Sequence, residues 1–283
     1  MTSRTLSTAF AVSVTLIGSA FAEDPLVLGK GKGLFNVGPL LFEDEFENLD
    51  DWVVQLDQGE GFPKSEVAAK EGTLDCLVPG SGCTVWFKEK LQTRIVISYD
   101  VLCPSSEDPV KTLAPSDVNC FWMAQDPSGD DSALFDSKSY TGDFGSYSKM
   151  KGYYASTGGG RNTTTRMRRY PRKVADEAVP HIALKDRDIQ ADFLITPDEV
   201  MQVQLVAYDD VIQYIVNGKL VYEISQGDRV EIEDVDAEGK RISVEGKYDL
   251  ERFPVCSEGY FVFRMVRIHH VYSNFRVHTL LPE

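Results

Sequence analysis

Apolar and polar residues alternate with a period of two along almost the whole chain, whereas apolar positions at helical spacing are nearly absent. The clearest runs are rich in β-branched and aromatic residues and cover residues 94–101, 200–208 and 260–263. The strongest turn signal is the dipeptide Asn217-Gly218, which separates the alternating runs 211–216 and 219–224. Because Asn-Gly accepts the positive φ angles of a type I′ turn, this pattern predicts a β-hairpin.

The whole pattern indicates an all-β protein. More than ten alternating runs are joined by turns of Gly, Pro, Asp and Ser, and no linker-like stretch separates them. We therefore predict a two-sheet antiparallel β-sandwich in a single domain, residues 40–283, after an N-terminal extension, residues 23–39. The polar segments 104–117 and 126–150 are predicted loops over one end or edge of the sheets. The acidic segment 226–249 is a predicted exposed hairpin insertion.

The first 22 residues have the features of a secretory signal peptide. Arg4 precedes an apolar run, residues 5–18, and Ala20-Phe21-Ala22 supplies the small-x-small cleavage pattern. We expect cleavage after Ala22 and export to the periplasm or the extracellular space. No later apolar run approaches the ~18 residues that a membrane-spanning helix needs, so we expect no membrane insertion.

The charge of the chain is strongly negative, and one segment departs from it. The chain has 283 residues, with 44 acidic and 29 basic side chains and a formal charge of -15, which excludes a general nucleic-acid binder. The segment Tyr147–Lys173 nevertheless contains eight basic residues and no acidic one. Like charges at close range repel by about 1 kcal/mol even in water, so the cluster indicates a site for an anionic ligand. The alternative is that these cations pair with the protein's own carboxylates, including those of segment 226–249.

Four ordered strings carry a family resemblance. They are Gly82-Cys83-Thr84-Val85-Trp86-Phe87, residues 119–127 (NCFWMAQDP), Tyr153-Tyr154 with residues 162–170 (NTTTRMRRY), and Phe263-Arg264 with His269 and residues 274–277 (NFRV). Together they resemble an uncharacterised group of exported bacterial proteins in the concanavalin A-like lectin/glucanase superfamily, over roughly residues 40–280. The resemblance implies a β-jelly roll and a carbohydrate-related role. The superfamily includes lectins, glucanases, polysaccharide lyases and hydrolases of 3-keto-disaccharides.

The basic segment contains a candidate binding face. If residues 162–170 form a strand, alternation places one set of side chains on one face: Asn162, Thr164, Arg166, Arg168 and Tyr170. Met167 on the other face suits the packed side, so the polar set is expected to look into the groove of a jelly roll. Arginines there bind a carboxylate or sulfate through paired N–H donors. Of the adjacent tyrosines 153 and 154, one is expected to pack and the other to face the groove.

These residue types suit β-elimination on a uronic acid, in which the C5 proton leaves once the carboxylate is neutralised. Adjacent strand residues point to opposite faces, so only one of His269 and His270 can reach the groove, and the resemblance favours His269. In jelly-roll lyases Arg and Asn neutralise the carboxylate, while His or Tyr acts as base and Tyr as acid. The predicted catalytic residues are Tyr170, His269, Arg166 and Asn162, and the predicted substrate-binding residues are Arg168, Tyr153, Tyr154, Arg161 and Arg264.

Two other functions stay open from the sequence. Jelly-roll glucanases use a Glu-x-Asp-x-x-Glu string, and the nearest match, residues 231–236, swaps Asp and Glu at two of the three positions. A non-catalytic glycan-binding module would stack sugars on tryptophans. Trp52 is one candidate, but Trp86 and Trp122 lie in strongly apolar strands that are typical of a core.

The expected partner is an acidic polysaccharide or oligosaccharide, and no cofactor is expected. No Cys/His spacing resembles a zinc site. Asp126, Asp130, Asp131 and Asp136 could supply oxygen ligands to a structural calcium ion, although their spacing matches no defined calcium loop. Export permits a disulfide between Cys76 and Cys83, and burial of all five cysteines as small apolar residues is the alternative. The sequence does not identify the polysaccharide or the oligomeric state.

Overall fold

A computed structural model describes residues 33–105, 113, 115–185 and 193–283, together with the backbone of residues 27–28. The predicted signal peptide, residues 1–22, lies outside the described residues. The described strands, in chain order, are β1 Val27–Leu28, β2 Phe35–Asp44, β3 Trp52–Asp57, β4 Glu66–Lys70, β5 Thr73–Val78, β6 Gly82–Phe87, β7 Leu91–Gln92, β8 Ile95–Leu102, β9 Val118–Gln125, β10 Lys151–Gly158, β11 Thr164–Tyr170, β12 Lys173–Val174, β13 Glu177–Ala178, β14 His181–Leu184, β15 Val200–Tyr208, β16 Val211–Val216, β17 Lys219–Ile224, β18 Arg229–Val235, β19 Arg241–Lys247, β20 Glu258–Met265 and β21 Ile268–Pro282. The described helices are two short 3₁₀ helices, Asp131–Phe135 and Phe144–Lys149, and one helical turn, α1, Gly159–Asn162.

The strands form two large antiparallel sheets. The back sheet has the order β1-β2-β21-β8-β15-β16-β17, with β5 also paired to β21 and β4 to β5. The front sheet has the order β19-β18-β14-β11-β10-β9-β20-β6-β3, with β7 paired to β20. The predicted all-β, two-sheet antiparallel jelly roll is therefore confirmed.

The main core lies between the two sheets, as the alternation predicts. On β6, Cys83, Val85 and Phe87 point into this core, whereas Trp86 belongs to a separate cluster on the other face of the front sheet. Trp122 is fully buried in the main core. Each such aromatic side chain contributes on the order of 2 kcal/mol through burial. Trp86 and Trp122 are therefore packing residues.

Two predicted hairpins are confirmed. Strands β16 and β17 pair across Asn217 and Gly218, whose φ angles are 49° and 69°. Strands β18 and β19 form the acidic hairpin, and β19 is the outermost strand of the front sheet. The hairpin therefore extends that sheet by two strands.

All five cysteines are buried and unpaired. The interpretation that they are small buried apolar residues is therefore confirmed, and the disulfide between Cys76 and Cys83 is not formed. Cys76 and Cys83 lie on β5 and β6, which belong to different sheets, so their spacer crosses the sandwich and does not close a tight loop. Burial raises the pKa of the Cys83 thiol to about 12. These thiols are therefore protonated core residues.

The segment 126–150 does not lie over an end or edge of the sheets as expected. It packs on the outer face of the front sheet, and we call it the plug. Its buried side chains, with those they pack against, are Leu134, Tyr140, Tyr147, Met150, Trp86, Phe121, Tyr154, Tyr170 and Val262. Gly142 fixes the plug against the sheet, because its φ is 94° and a Cβ there would lie 2.7 Å from the Asp57 nitrogen. The plug therefore covers part of the face that was expected to be a groove.

Candidate functional site

A row of polar side chains crosses the outer face of the front sheet on five neighbouring strands. In strand order from β6 to β11, the residues in register are Thr84, Arg264, Asn119, Ser156 and Arg166. Directly opposite side chains on one face of a sheet lie about 5 Å apart, so the row is continuous. We call Arg264, Asn119, Ser156 and Arg166 the arginine row.

Four buried polar atoms of the arginine row have no partner within the described protein. The Nη2 atom of Arg166, by contrast, donates to Oγ1 of Thr164 at 2.8 Å. Asn119 is 1% exposed, and neither its amide nitrogen nor its amide oxygen forms a hydrogen bond to the described residues. Arg264 is 5% exposed, and its buried Nε is equally without a partner, as is Nε of Arg166. A buried polar group without a partner costs about 1–3 kcal/mol, more if charged. The arginine row therefore holds hydrogen-bonding capacity that the described protein does not use.

The cations of segment 147–173 are also unpaired. None of its eight basic residues forms an ion pair with a carboxylate in the described ranges. Elsewhere Arg94 pairs with Asp209, and Arg276 pairs with Glu43 and Glu45. Direct ion pairs with the protein's own carboxylates are therefore not observed for this segment in the described part of the chain, although Glu233 of the acidic hairpin interacts electrostatically with Arg168.

A second row lies beside the arginine row and contains Phe121, Tyr154 and Arg168 in register. The Arg168 guanidinium lies 5.8 Å from the centroid of the Tyr154 ring. Burial raises the pKa of Tyr154 to about 12, and the nearby charges of Arg264 and Arg168 act against this rise. Tyr170 is fully buried on the same face, and its hydroxyl has no hydrogen-bond partner among the described residues. Arg166, Arg168 and Tyr170 thus share a face, as the alternation predicts.

The two adjacent tyrosines divide as expected. Tyr153 points into the main core, where its hydroxyl accepts a hydrogen bond from the Cys256 nitrogen at 3.2 Å. Tyr154 lies on the outer face with the second row. Of the two, only Tyr154 is placed to contact a ligand on that face.

Asn162 is not on this face, and the expectation that placed it there is wrong. Strand β11 begins only at Thr164, while Asn162 lies in the α1 turn with a φ of 59°. Its side chain donates to the Ile195 oxygen at 2.8 Å and accepts from the Ile195 nitrogen at 2.9 Å. Asn162 therefore anchors the turn, with Arg161 exposed beside it.

His269 is also separated from the arginines, because β21 belongs to the back sheet. Its Nε2 lies 3.2 Å from Oδ1 of Asp75. The hydrogen bond from His269 lowers the pKa of Asp75, while partial burial opposes this. The neighbouring His270 is fully buried and contacts Tyr272 and the Ser116 oxygen. The expectation that His269 faces the same groove as Arg166 is therefore wrong.

The sequence analysis missed two residues of the front face. One is Asn119, which alternation along β9 places on the same face as Phe121 and opposite Cys120. The other is His181, whose Nδ1 lies 3.2 Å from the Val179 oxygen and whose Nε2 lies 3.2 Å from Oε2 of Glu233. His181 therefore lies against the carboxylate of Glu233, on the same face of the front sheet as Arg168.

Glu233 belongs to the string that came nearest to the glucanase pattern. The hydrogen bond from His181 holds the pKa of Glu233 well below its usual range, and Lys185 and Arg168 add to this effect against partial burial. Lys185 forms an ion pair with Glu233. A carboxylate held ionised in this way cannot act as the proton donor of a glucanase.

A cavity of about 200 Å³ opens beside the plug. Its lining includes Phe144, Arg172, His181 and Glu233. The ring of Phe144 also covers Arg264, with 4.4 Å between the guanidinium carbon and the ring centroid. Phe144 therefore contacts both the cavity and the arginine row.

The described residues contain no group of three or more His, Cys, Asp or Glu side chains that could hold a metal ion. The loop carboxylates considered for calcium have other partners. Asp126 accepts from Ser128 and Tyr140, and Asp131 pairs with Lys90. In the same part of the chain no helix has the length and apolar character to cross a membrane.

The fold and the site together define a class of protein: a jelly roll that carries a row of basic side chains without ion pairs on one outer face. The chain belongs to the family described as a domain of unknown function (DUF6250), whose model matches residues 77–233. That range includes β9, β10 and β11, which carry Asn119, Ser156 and Arg166. A comparison with curated proteins gave no match.

Solved structures share the fold. A Bacillus subtilis protein of unknown function with a galectin-like fold is 16% identical and has a TM-score of 0.54, over 88% of this chain and 100% of that chain. An endo-β-1,3-glucanase from Pyrococcus furiosus is 11% identical and has a TM-score of 0.50, over 92% of this chain and 100% of that chain. These likenesses establish the galectin-like, concanavalin A-like architecture.

Proposed function

We propose that this chain is an exported carbohydrate-active protein that binds an acidic glycan on the outer face of the front sheet. The observation that carries the proposal is the arginine row, in which both amide atoms of Asn119 and the Nε atoms of Arg166 and Arg264 have no hydrogen-bond partner among the described residues. The fold shared with a Pyrococcus furiosus endo-β-1,3-glucanase supports a carbohydrate as the ligand.

The chemistry of the row favours a sugar acid over a neutral sugar. A guanidinium binds a carboxylate or sulfate through two parallel N–H donors, and the Asn119 amide can both donate to and accept from sugar hydroxyls. A neutral sugar would leave the charges of half-buried Arg166 and buried Arg264 without a counter-charge, which is costly. In a chain of net charge -15, only such a local site attracts an anion.

A second candidate function is β-elimination, which the position of Tyr154 favours. Tyr154 lies two residues before Ser156 on its own strand and directly opposite Arg168 on the next, and the charge of Arg264 acts against the rise in the pKa of its hydroxyl. In such a reaction a base takes the C5 proton, the C4–O bond breaks as a C4=C5 double bond forms, and an acid gives a proton to the leaving oxygen. Binding is the stronger candidate, because His269 lies on the back sheet and His181 lies against the carboxylate of Glu233.

The proposal is tested by calorimetric titration of the purified protein with a uronate oligosaccharide and with its carboxyl-reduced, neutral counterpart. We expect binding of the acidic form only. Arg166→Ala should weaken that binding by about 10-fold or more, since a hydrogen bond to a charged group contributes about 1.5–3 kcal/mol. The matched control is Arg276→Ala on the back sheet, whose guanidinium already binds Glu43 and Glu45.

Equal binding of the acidic and neutral oligosaccharides would contradict the proposal, as would unchanged binding by Arg166→Ala. Product analysis of the same mixtures separates the candidate functions. An unsaturated uronate, seen by its absorbance, would establish β-elimination, and binding without product would establish a binding module. New reducing ends without unsaturation would establish hydrolysis instead.

A further inference from the structure

A second cavity, of about 880 Å³, lies at one end of the sandwich. It is formed by connections between strands, and four of them, β3–β4, β5–β6, β8–β9 and β20–β21, cross from one sheet to the other. The lining residues that matter here are Phe62, Pro63, Pro79, Asp117, Arg161 and Arg267. The cavity is separate from the one beside the plug, with which it shares no lining residue.

Two arginines give this cavity a positive wall. Arg161 and Arg267 are exposed and form no ion pair within the described residues. Other arginines, namely Arg94, Arg229, Arg252 and Arg276, each pair with a carboxylate. The guanidinium of Arg267 lies 5.0 Å from the centroid of the Phe62 ring, which holds it at the cavity. In a chain of net charge -15, leaving two neighbouring arginines unpaired indicates an anionic ligand.

The backbone around the cavity is strained at three residues. Asp117, Arg161 and Arg267 have φ angles of 58°, 64° and 51°, in three separate connections. Glycine or asparagine adopts this conformation more readily than arginine. Strained residues of this kind cluster at ligand sites, where the surrounding structure holds a side chain that the site needs.

The strands of the arginine row lead directly into this cavity. Asn119 and Asp117 are two residues apart at the start of β9, and Arg264 and Arg267 are three residues apart at the end of β20. At about 3.3 Å per residue, the cavity therefore begins roughly 7–10 Å from the row. One sugar chain can reach across that distance.

We infer that the cavity between Arg161 and Arg267 is a second binding site for an anionic sugar of the same glycan, next to the arginine row. The inference rests on the proposed function for the class of ligand. The arginines bind a carboxylate or sulfate, Asp117 accepts from sugar hydroxyls, and Phe62, Pro63 and Pro79 contact the C–H face of a ring. A glycan long enough to occupy both sites binds more tightly than either site alone, because the second contact is intramolecular.

The test is calorimetric titration with an acidic disaccharide and with the corresponding long polymer, using uronate and sulfated forms in separate arms. We expect two disaccharide sites in the unaltered protein and one in the double variant Arg161→Ala/Arg267→Ala. That variant should bind the polymer about 10-fold or more weakly, through lost bivalency. The form that loses a site in the variant identifies the anionic group that the cavity binds.

Control variants keep the result interpretable. Arg161→Lys/Arg267→Lys keeps both charges and should retain two sites, and unchanged thermal unfolding of the alanine variant excludes loss of fold. Two sites and unchanged polymer affinity in the alanine variant would overturn the inference. If Arg166→Ala keeps two sites while the double variant loses one, the cavity stands and the proposed role of the arginine row fails.

Discussion

Gln55 and Asn119 lie on the same outer face of the front sheet, and each is 1% exposed, yet their hydrogen bonding is opposite. Gln55 lies under the plug, where its Nε2 donates to the Leu134 oxygen at 2.7 Å and its Oε1 accepts from Nε1 of Trp86 at 2.9 Å. Tyr147 donates to the same Oε1 at 3.2 Å. Asn119, three strands away, has no partner among the described residues for either amide atom. Burial alone therefore does not explain why the polar groups of Asn119 are unpaired, and a ligand is the partner that we propose for them.

The largest effect on stability is expected from Gln55→Leu, which removes the hydrogen bonds of the paired amide. The change leaves the Trp86 indole, the Leu134 carbonyl and the Tyr147 hydroxyl with a lost contact in a buried region. At about 1–3 kcal/mol for each stranded group, we expect a loss of about 3 kcal/mol or more in the free energy of unfolding. Urea unfolding measures it, and a loss below about 1 kcal/mol would mean that the plug is not held by this network.

The corresponding change on the unpaired side is Asn119→Leu. It removes two buried polar atoms that bind nothing in the described protein, so the free energy of unfolding should stay unchanged or rise by about 1 kcal/mol. Acidic glycan should stabilise the unaltered protein against urea but not this variant, since a ligand stabilises only a state that binds it. A cost as large as that of Gln55→Leu would show that Asn119 has partners within the protein.

The alternation of apolar and polar residues predicted which face a side chain occupies within a regular strand. It did not predict where a strand begins, which sheet it joins or where a loop packs. It placed Arg166, Arg168 and Tyr170 on one face, because these residues lie within a regular strand. It failed for Asn162, since a left-handed turn delays the strand by two residues. It also failed for His269, because no local pattern tells which of the two sheets β21 joins. The plug was missed because its polar composition hides a few widely spaced aromatic residues that bury against the sheet.

The smallest expected effect concerns Glu233, the carboxylate whose charge interacts with Arg168 at the margin of the unpaired region. Its pKa is lowered in the folded protein, above all by the hydrogen bond from His181. The resulting stabilisation is therefore fully present above the unfolded value of about 4.5 and is lost as the pH falls through the folded value. Glu233→Gln should lower the free energy of unfolding by about 1 kcal/mol at pH 7, given partial exposure. Urea unfolding at pH 7, 5 and 3 should show this difference shrinking only below pH 5.

Glu245→Gln, which alters an exposed ion pair with Arg229, is the control and should change little at any pH. A difference for Glu233→Gln that is equally large at pH 3 would mean that the side chain acts through packing and not through its charge. The charge of Arg168 would then lack a counter-charge, as the charges of the arginine row do.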